Sequence, residues 1–188
     1  MELASEAIVF AVQAHDGMRR KKSESPYILH PMEAAVIVGS MTDDQHLIAA
    51  AALHDVVEDA GVTLDEVGER FGQRVRELVA SETEDKRADL PPTDTWRLRK
   101  EESLSVLAST DDTGVLMVWL GDKLANMRSI HRDWTVEGDA MWQRFNQKNV
   151  GEQAWYYRSI IRLTERLSHT SAWLEYKTLT ERVFGKGE

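Results

Sequence analysis

Cysteine is absent from the 188-residue chain, which excludes a disulfide framework, a thiolate metal site and a cysteine nucleophile together. No apolar run approaches the roughly 20 residues that a membrane-spanning helix needs. The N-terminal MELASEAIVF carries acids and lacks the basic stretch of a secretory signal. These absences predict a soluble cytoplasmic protein with no membrane association. Basic charge is also in deficit: 23 Lys and Arg against 32 Asp and Glu give a formal net charge of -9. That balance disfavours a nucleic-acid partner, and it requires any anionic substrate to be drawn in by a local basic patch. Alternating hairpin patterns, internal repeats and low-complexity tracts are missing as well.

What is present is helical punctuation. Ser5 to His15 carries Ala7, Ile8, Ala11 and Val12 at helical spacing. Pro31 sits where the first turn of a helix tolerates proline. TDDQ at Thr42 reads as a capping box opening an alanine-rich helix, TLDE at Thr63 opens another, and Gly61 stops the helix between them. The segment from Gly72 to Asp85 reads as helical, followed by a loop marked by Pro91 and Pro92. Further helices are predicted at Thr95 to Ala108, Thr113 to Ile130, Gln143 to Leu167 and Trp173 to Val183. The apolar triplet Val36 to Val38 falls within a helical frame. The expectation is one all-α domain, a single helical bundle over residues 1–188.

The segment AALHDVVEDA, Ala51 to Ala60, breaks the pattern. An apolar run from Leu47 to Leu53 meets His54, Asp55, Glu58 and Asp59 within six residues. Read as one continuous helix, His54 aligns with Glu58 and Asp55 with Asp59. A solvated acidic turn is the plain alternative, but acids at a helix C-terminus oppose the macrodipole. An imidazole beside a carboxylate at the end of a buried alanine helix is better explained as a metal site. Two other positions raise that reading: YILHP places His30 at a loop-to-helix junction, and VLMVWLGDKLANM places Asp122 after an apolar run.

His30, His54-Asp55 and Asp122 follow the H…HD…D order of the HD-domain phosphohydrolases, which the chain resembles. Two imidazoles and two carboxylates suit Mn²⁺, Fe²⁺, Co²⁺ or Zn²⁺, ions that activate water near neutral pH. His15, His46, His131 and His169 show no spacing suited to a second ion, so one metal is expected.

The flanks sharpen the resemblance. HDGMRRKKSESPYILHP from His15, LHDVVED from Leu53 and DKLANMRS from Asp122 are similar to the hydrolase domain of the Rel/Spo enzymes, and most of all to the small alarmone hydrolases. TEDK at Thr83 and RLRK at Arg97 look like the basic elements between the second and third motifs. The resemblance implies that His30, His54, Asp55 and Asp122 hold Mn²⁺, and that Glu58 and Asp59 are the catalytic acid pair that orients and deprotonates water. It further implies that Arg20 stacks on guanine with Lys21 beside it for phosphate, and that Lys86, Arg99 and Lys100 hold the diphosphates. Asn126 and Ser129 match contacts to ribose or phosphate.

The residues themselves agree in part. RRKK, Arg19 to Lys22, is a block of positive charge ahead of a metal ligand, and guanidinium can both stack on a base and pair with phosphate. Met18, Trp119, Gly121 and Ala125 depart from the family pattern without touching a ligand. Trp155 to Tyr157 are read as core rather than pocket wall. The implied activity is removal of the 3′-diphosphate of guanosine 3′,5′-bis(diphosphate), with no synthetase domain before the chain ends at Glu188. An HD phosphohydrolase acting on a nicotinamide dinucleotide phosphate or a deoxynucleotide is the alternative. A non-catalytic nucleotide sensor is disfavoured by the intact Glu58-Asp59 pair.

Overall fold

A computed structural model describes residues 1–20, 24–87 and 89–186. Among them the fold is all-α, as expected, with one isolated bridge between Arg19 and Pro26. In chain order the helices are α1 (Leu3–Ala14), α2 (Leu29–Gly39), α3 (Gln45–Leu53), α4 (Val56–Asp59), α5 (Leu64–Phe71), α6 (Gln73–Glu82), α7 (Pro92–Ser109), α8 (Thr113–Glu137), α9 (Val150–Leu163) and α10 (Ser171–Phe184).

Helix α3 is the centre of the domain. Ala49, Ala50, Ala51, Ala52 and Leu53 are all buried, so the helix is apolar on every face, the pattern of a fully enclosed element. Small side chains let α1, α2, α6 and α8 approach it closely. On α8, Trp119 and Leu120 fill the core, and the Trp119 indole donates to the Ser81 carbonyl at 3.2 Å, fixing α8 to α6. Gly121 lets α8 pass close to α2. A Cβ there would lie 2.6 Å from Val38 Cγ2 and 3.1 Å from the Ala34 carbonyl oxygen.

Several boundaries differ from the sequence reading, each for a local reason. The cap of α3 is Asp44, not Thr42: the Asp44 carboxylate accepts from the His46 amide at 2.9 Å, while the Thr42 hydroxyl accepts from the Asp44 amide. The Thr63 capping box forms as expected, with Glu66 closing it. Helix α7 starts at Pro92, where a missing amide proton costs nothing. Helix α8 continues past Ile130 to Glu137 and stops at Gly138, whose φ is +58°. The predicted helix from Gln143 to Leu167 is interrupted, because the Asn149 side chain accepts from the Gly151 and Glu152 amides and starts α9 afresh.

The largest correction concerns His54 and Asp55. They do not continue α3 but form a turn between α3 and α4. His54 Nδ1 donates to the Ala51 carbonyl at 2.8 Å, the acceptor that a continuing helix would offer to the Asp55 amide. A side chain that competes for the ladder in this way ends it. The chain restarts at once, with the Asp59 amide on the Asp55 carbonyl at 2.9 Å, and Gly61 at φ +70° ends the short α4.

Candidate metal centre and its pocket

Three elements converge beneath one cavity. His30 enters from the first turn of α2, with its amide on the Tyr27 carbonyl at 3.0 Å. His54 and Asp55 come from the α3–α4 turn, and Asp122 comes from the middle of α8. His30, His54 and Asp122 are each less than a tenth exposed.

Their donor atoms meet. His30 Nε2 lies 3.0 Å from Asp122 Oδ1 and 3.3 Å from His54 Nε2. His54 Nε2 lies 3.5 Å from Asp122 Oδ1 and 3.1 Å from Asp55 Oδ2, and Asp55 Oδ2 is 3.5 Å from His30 Nε2. Ligand atoms held about 2.0–2.2 Å from one first-row ion sit roughly 3 to 3.5 Å apart, so the spacing fits a metal. One atom each of His30, His54 and Asp122 forms a close group within 4.8 Å, and Asp55 joins through both imidazoles. The His54 Nδ1 bond to Ala51 leaves Nε2 aimed at the cluster, the usual way a ligating imidazole is oriented.

The electrostatics agree. Burial disfavours protonation of His54, but Asp55 and Asp122 overcome it and raise its pKa well above the ordinary histidine value. Asp122 is held well below the carboxylate range: burial opposes this, and Lys123 and His54 prevail. Ionised carboxylates facing imidazoles attract a positive charge, which a divalent ion satisfies in place of protons.

The cavity over this cluster has a volume of about 230 Å³. Of the residues singled out from sequence, it brings together Arg20, His30, His54, Asp55, Glu58, Asp59, Arg99, Lys100, Asp122 and Asn126. Lys86 stands at its edge, 2.5 Å from Asp59 Oδ1 and 3.3 Å from Glu58 Oε2. Ser129 is not among the lining residues, and its hydroxyl accepts from Arg132. Lys21 lies outside the described residues.

Three placements differ from the expected phosphate cradle. Arg99 and Lys100 both grip Glu84, at 2.9 and 2.5 Å, so their charges are already balanced by a carboxylate. Asn126 donates to Asp122 Oδ1 at 2.6 Å and accepts from Arg20 at 3.4 Å, which makes it a support for the metal ligand as well as a pocket wall. Tyr156 and Tyr157 are buried, yet they line a second cavity of about 200 Å³ beside the first, sharing Lys100, Lys123 and Asn126 with it. The core reading therefore holds for the burial of Tyr156 and Tyr157 but not for their isolation from the site, while Trp155 is only partly buried, with Arg97 over its ring.

Glu58 is aimed from behind. The Glu84 amide donates to its Oε1 at 2.8 Å. Burial raises the Glu58 pKa against the lowering effects of that bond and of Lys86, so this carboxyl holds a proton more readily than an exposed one.

Sequence reasoning passed over Tyr27, Glu82, Glu84 and Lys123, which line the same cavity. Glu82 had a visible signal, because it prolongs the buried stripe Val75, Leu78, Val79 of α6. Lys123 bonds Asp122 Oδ2 and lies 3.4 Å from Glu82 Oε2. Lys123 thus pairs with one carboxylate oxygen of Asp122 while the other oxygen faces the imidazoles. Burial raises Glu82 to about 7 despite Lys123.

A pH prediction follows for Glu82. The unfolded chain releases this proton near 4.5 and the folded chain only near 7. The folded state therefore binds more protons between those values, and stability must fall as pH rises through that window. At about 1.4 kcal/mol per pKa unit the loss amounts to roughly 3 kcal/mol. In metal-stripped protein, Glu82→Gln should flatten the decline measured by denaturant titration between pH 5 and pH 8. An equally steep decline in the variant would show that Glu82 is not its source.

A helical domain in which two histidines and two aspartates cluster, roofed by acids and flanked by arginine, is an architecture able to hold a metal ion beneath a pocket. Residues 7–148 match the family model described as HD domain, and the chain belongs to the HD domain family. HD hydrolases bind a divalent metal, and among the described residues His30, His54 and Asp122 offer a donor set for one. The chain is 38% identical over 128 residues to the GTP pyrophosphokinase rsh of Brucella ovis, covering 68% of this chain and 17% of that protein. It is 35% identical over 124 residues to the guanosine-3′,5′-bis(diphosphate) 3′-pyrophosphohydrolase of Aquifex aeolicus, covering 66% of this chain and again 17% of the relative. The match thus spans about one sixth of the length of these relatives. Among solved structures, a metazoan ortholog of SpoT described as hydrolyzing ppGpp superposes with a TM-score of 0.76 at 24% identity, over 99% of this chain and 98% of that one. A Listeria monocytogenes protein superposes with a TM-score of 0.73 at 28% identity, over 84% of this chain and 99% of that one.

Proposed function

We propose that this chain is a metal-dependent phosphohydrolase that removes the 3′-diphosphate of guanosine 3′,5′-bis(diphosphate) or its pentaphosphate relative, leaving GDP or GTP and pyrophosphate. The observation that carries the reading is the placement of Glu58 and Asp59 over the His30, His54, Asp55 and Asp122 cluster in one cavity that also contains Arg20. The names of the Brucella and Aquifex relatives support the substrate class.

His30, His54, Asp55 and Asp122 would hold one Mn²⁺, which supplies Lewis acidity and activates water. Glu58, its pKa raised by burial and its Oε1 fixed by the Glu84 amide, takes the proton of the attacking water. Asp59, steadied by Lys86, orients that water. Arg20 lies at the cavity wall over the Tyr27 ring, at 5.7 Å, and offers its plane to the base. Lys21 follows it in sequence. Asn126 reaches the ribose side while holding Asp122. Arg99 and Lys100 reach phosphate by exchanging Glu84 for it. The whole of residues 1–188 acts as one catalytic unit, and the cytoplasm, where the nucleotide pool lies, is its place of action.

Product analysis is the test. Water attacking the phosphorus on the 3′ oxygen releases pyrophosphate in one piece and leaves the 5′-diphosphate intact. Incubation of the Mn²⁺-loaded protein with guanosine 3′,5′-bis(diphosphate) should give GDP and pyrophosphate in equal amounts. Orthophosphate as the only product, or an inert alarmone beside rapid turnover of another nucleotide, would overturn the assignment in favour of a different HD nucleotide phosphohydrolase.

A further inference from the structure

We infer that Tyr27 is a positioning residue whose hydroxyl couples the ligand Asp55 to the acid Asp59; the part played by Asp59 rests on the proposed function. Tyr27 Oη lies 2.7 Å from Asp55 Oδ2 and 2.7 Å from Asp59 Oδ2. A phenol carries a single proton, so it satisfies one carboxylate at a time. The Asp55 oxygen involved is the one that faces both imidazoles, 3.1 Å from His54 Nε2 and 3.5 Å from His30 Nε2. The two carboxylates therefore share one donor, and the shared hydroxyl holds the ligand and the acid in a fixed relation.

The hydroxyl can do this because its ring is fixed. The Tyr27 amide donates to the Met18 carbonyl at 3.0 Å. His15 stacks on the ring, with centroids 5.1 Å apart and planes 18° apart, and is itself tied down by its Nδ1 bond to the Ala11 carbonyl at 2.9 Å. Asp59 needs such a partner. It is exposed, and its other oxygen is held by Lys86, a flexible chain, at 2.5 Å. With Tyr27 on Oδ2 and Lys86 on Oδ1, both carboxylate oxygens of Asp59 are oriented.

Tyr27→Phe keeps the ring and removes the oxygen alone. Competition between the metal-free variant and a chelator for Mn²⁺ should show an affinity about 10-fold weaker than wild type, the scale for losing a group that orients a ligand. In alarmone turnover, kcat should fall about 10-fold with KM moved less than about threefold. Two carboxylates sharing one donor also predict non-additivity. In an Asp59→Asn background, Tyr27→Phe should cost no further kcat, while its effect on Mn²⁺ affinity persists. Mn²⁺ affinity within twofold of wild type in Tyr27→Phe overturns the link to Asp55, and additive losses in kcat overturn the link to Asp59. An inert alarmone with the wild-type protein would end the proposed function instead, leaving the Mn²⁺ titration to decide the role of Tyr27. Asp59→Asn, altered at an exposed position, serves as the folded reference and should bind Mn²⁺ as wild type does.

Discussion

Replacing Asp122 with alanine is expected to abolish bound metal and hydrolytic activity together. Asp122 Oδ1 faces His30 Nε2 at 3.0 Å and His54 Nε2 at 3.5 Å, and nothing else on α8 can take its place between them. The same change strands part of the Lys123 charge, since this buried ammonium is shared between Asp122 and Glu82. Breaking a buried pair costs about 3–5 kcal/mol, so the variant should also melt earlier. His54→Ala separates the two effects. It removes an imidazole from the same cluster without leaving Lys123 unpaired, and it should lose metal with a smaller loss of stability. Elemental analysis of both purified variants, with circular dichroism as the check on folding, measures the outcome. Full metal occupancy in the two folded variants would show that this cluster does not hold the ion.

Glu58→Gln should separate chemistry from binding. Glutamine retains the shape and an oxygen that can accept the Glu84 amide, and the four proposed ligands stay in place. Lys86 keeps Asp59 as a partner at 2.5 Å. What disappears is a carboxylate able to take a proton from water. Loss of a general base costs about 10²-fold or more in rate, so kcat should drop by that order while Mn²⁺ content remains stoichiometric. Turnover at the wild-type rate would reduce Glu58 to an anchor for Lys86.

Much of the site was legible because its residues announce themselves against their surroundings. Four titratable groups after an alanine run, or an aspartate after six apolar residues, violate the local pattern, and the violation marks chemistry. The Thr63 capping box was equally plain, since both partners lie within four residues. The turn at His54 was not legible. It depends on an imidazole reaching a backbone carbonyl, a choice that helical spacing alone does not reveal. The pairing of Arg99 and Lys100 with Glu84 was hidden for another reason. Glu84 lies 15 and 16 residues from them in sequence, so only the fold of α6 against α7 discloses that their charge is balanced. Tyr27 sat in plain view within YILHP, but its partners stand 28 and 32 residues away.

The glycine at 121 has a consequence for the proposed metal cage. It immediately precedes Asp122, and the wall it touches, Ala34, is one helical turn beyond His30. The gap between these two donors is thus gauged by bare backbone resting on backbone, with a Cβ at 121 confronting Val38 Cγ2 at 2.6 Å. A methyl group there would act as a shim, prising the two helices apart on one side of the cage and enlarging the span an ion must bridge. On the proposed assignment, a residue that contributes no donor atom thus governs how closely the helices bearing His30 and Asp122 approach, and a side chain at position 121 would widen the cage while every proposed ligand stays the same.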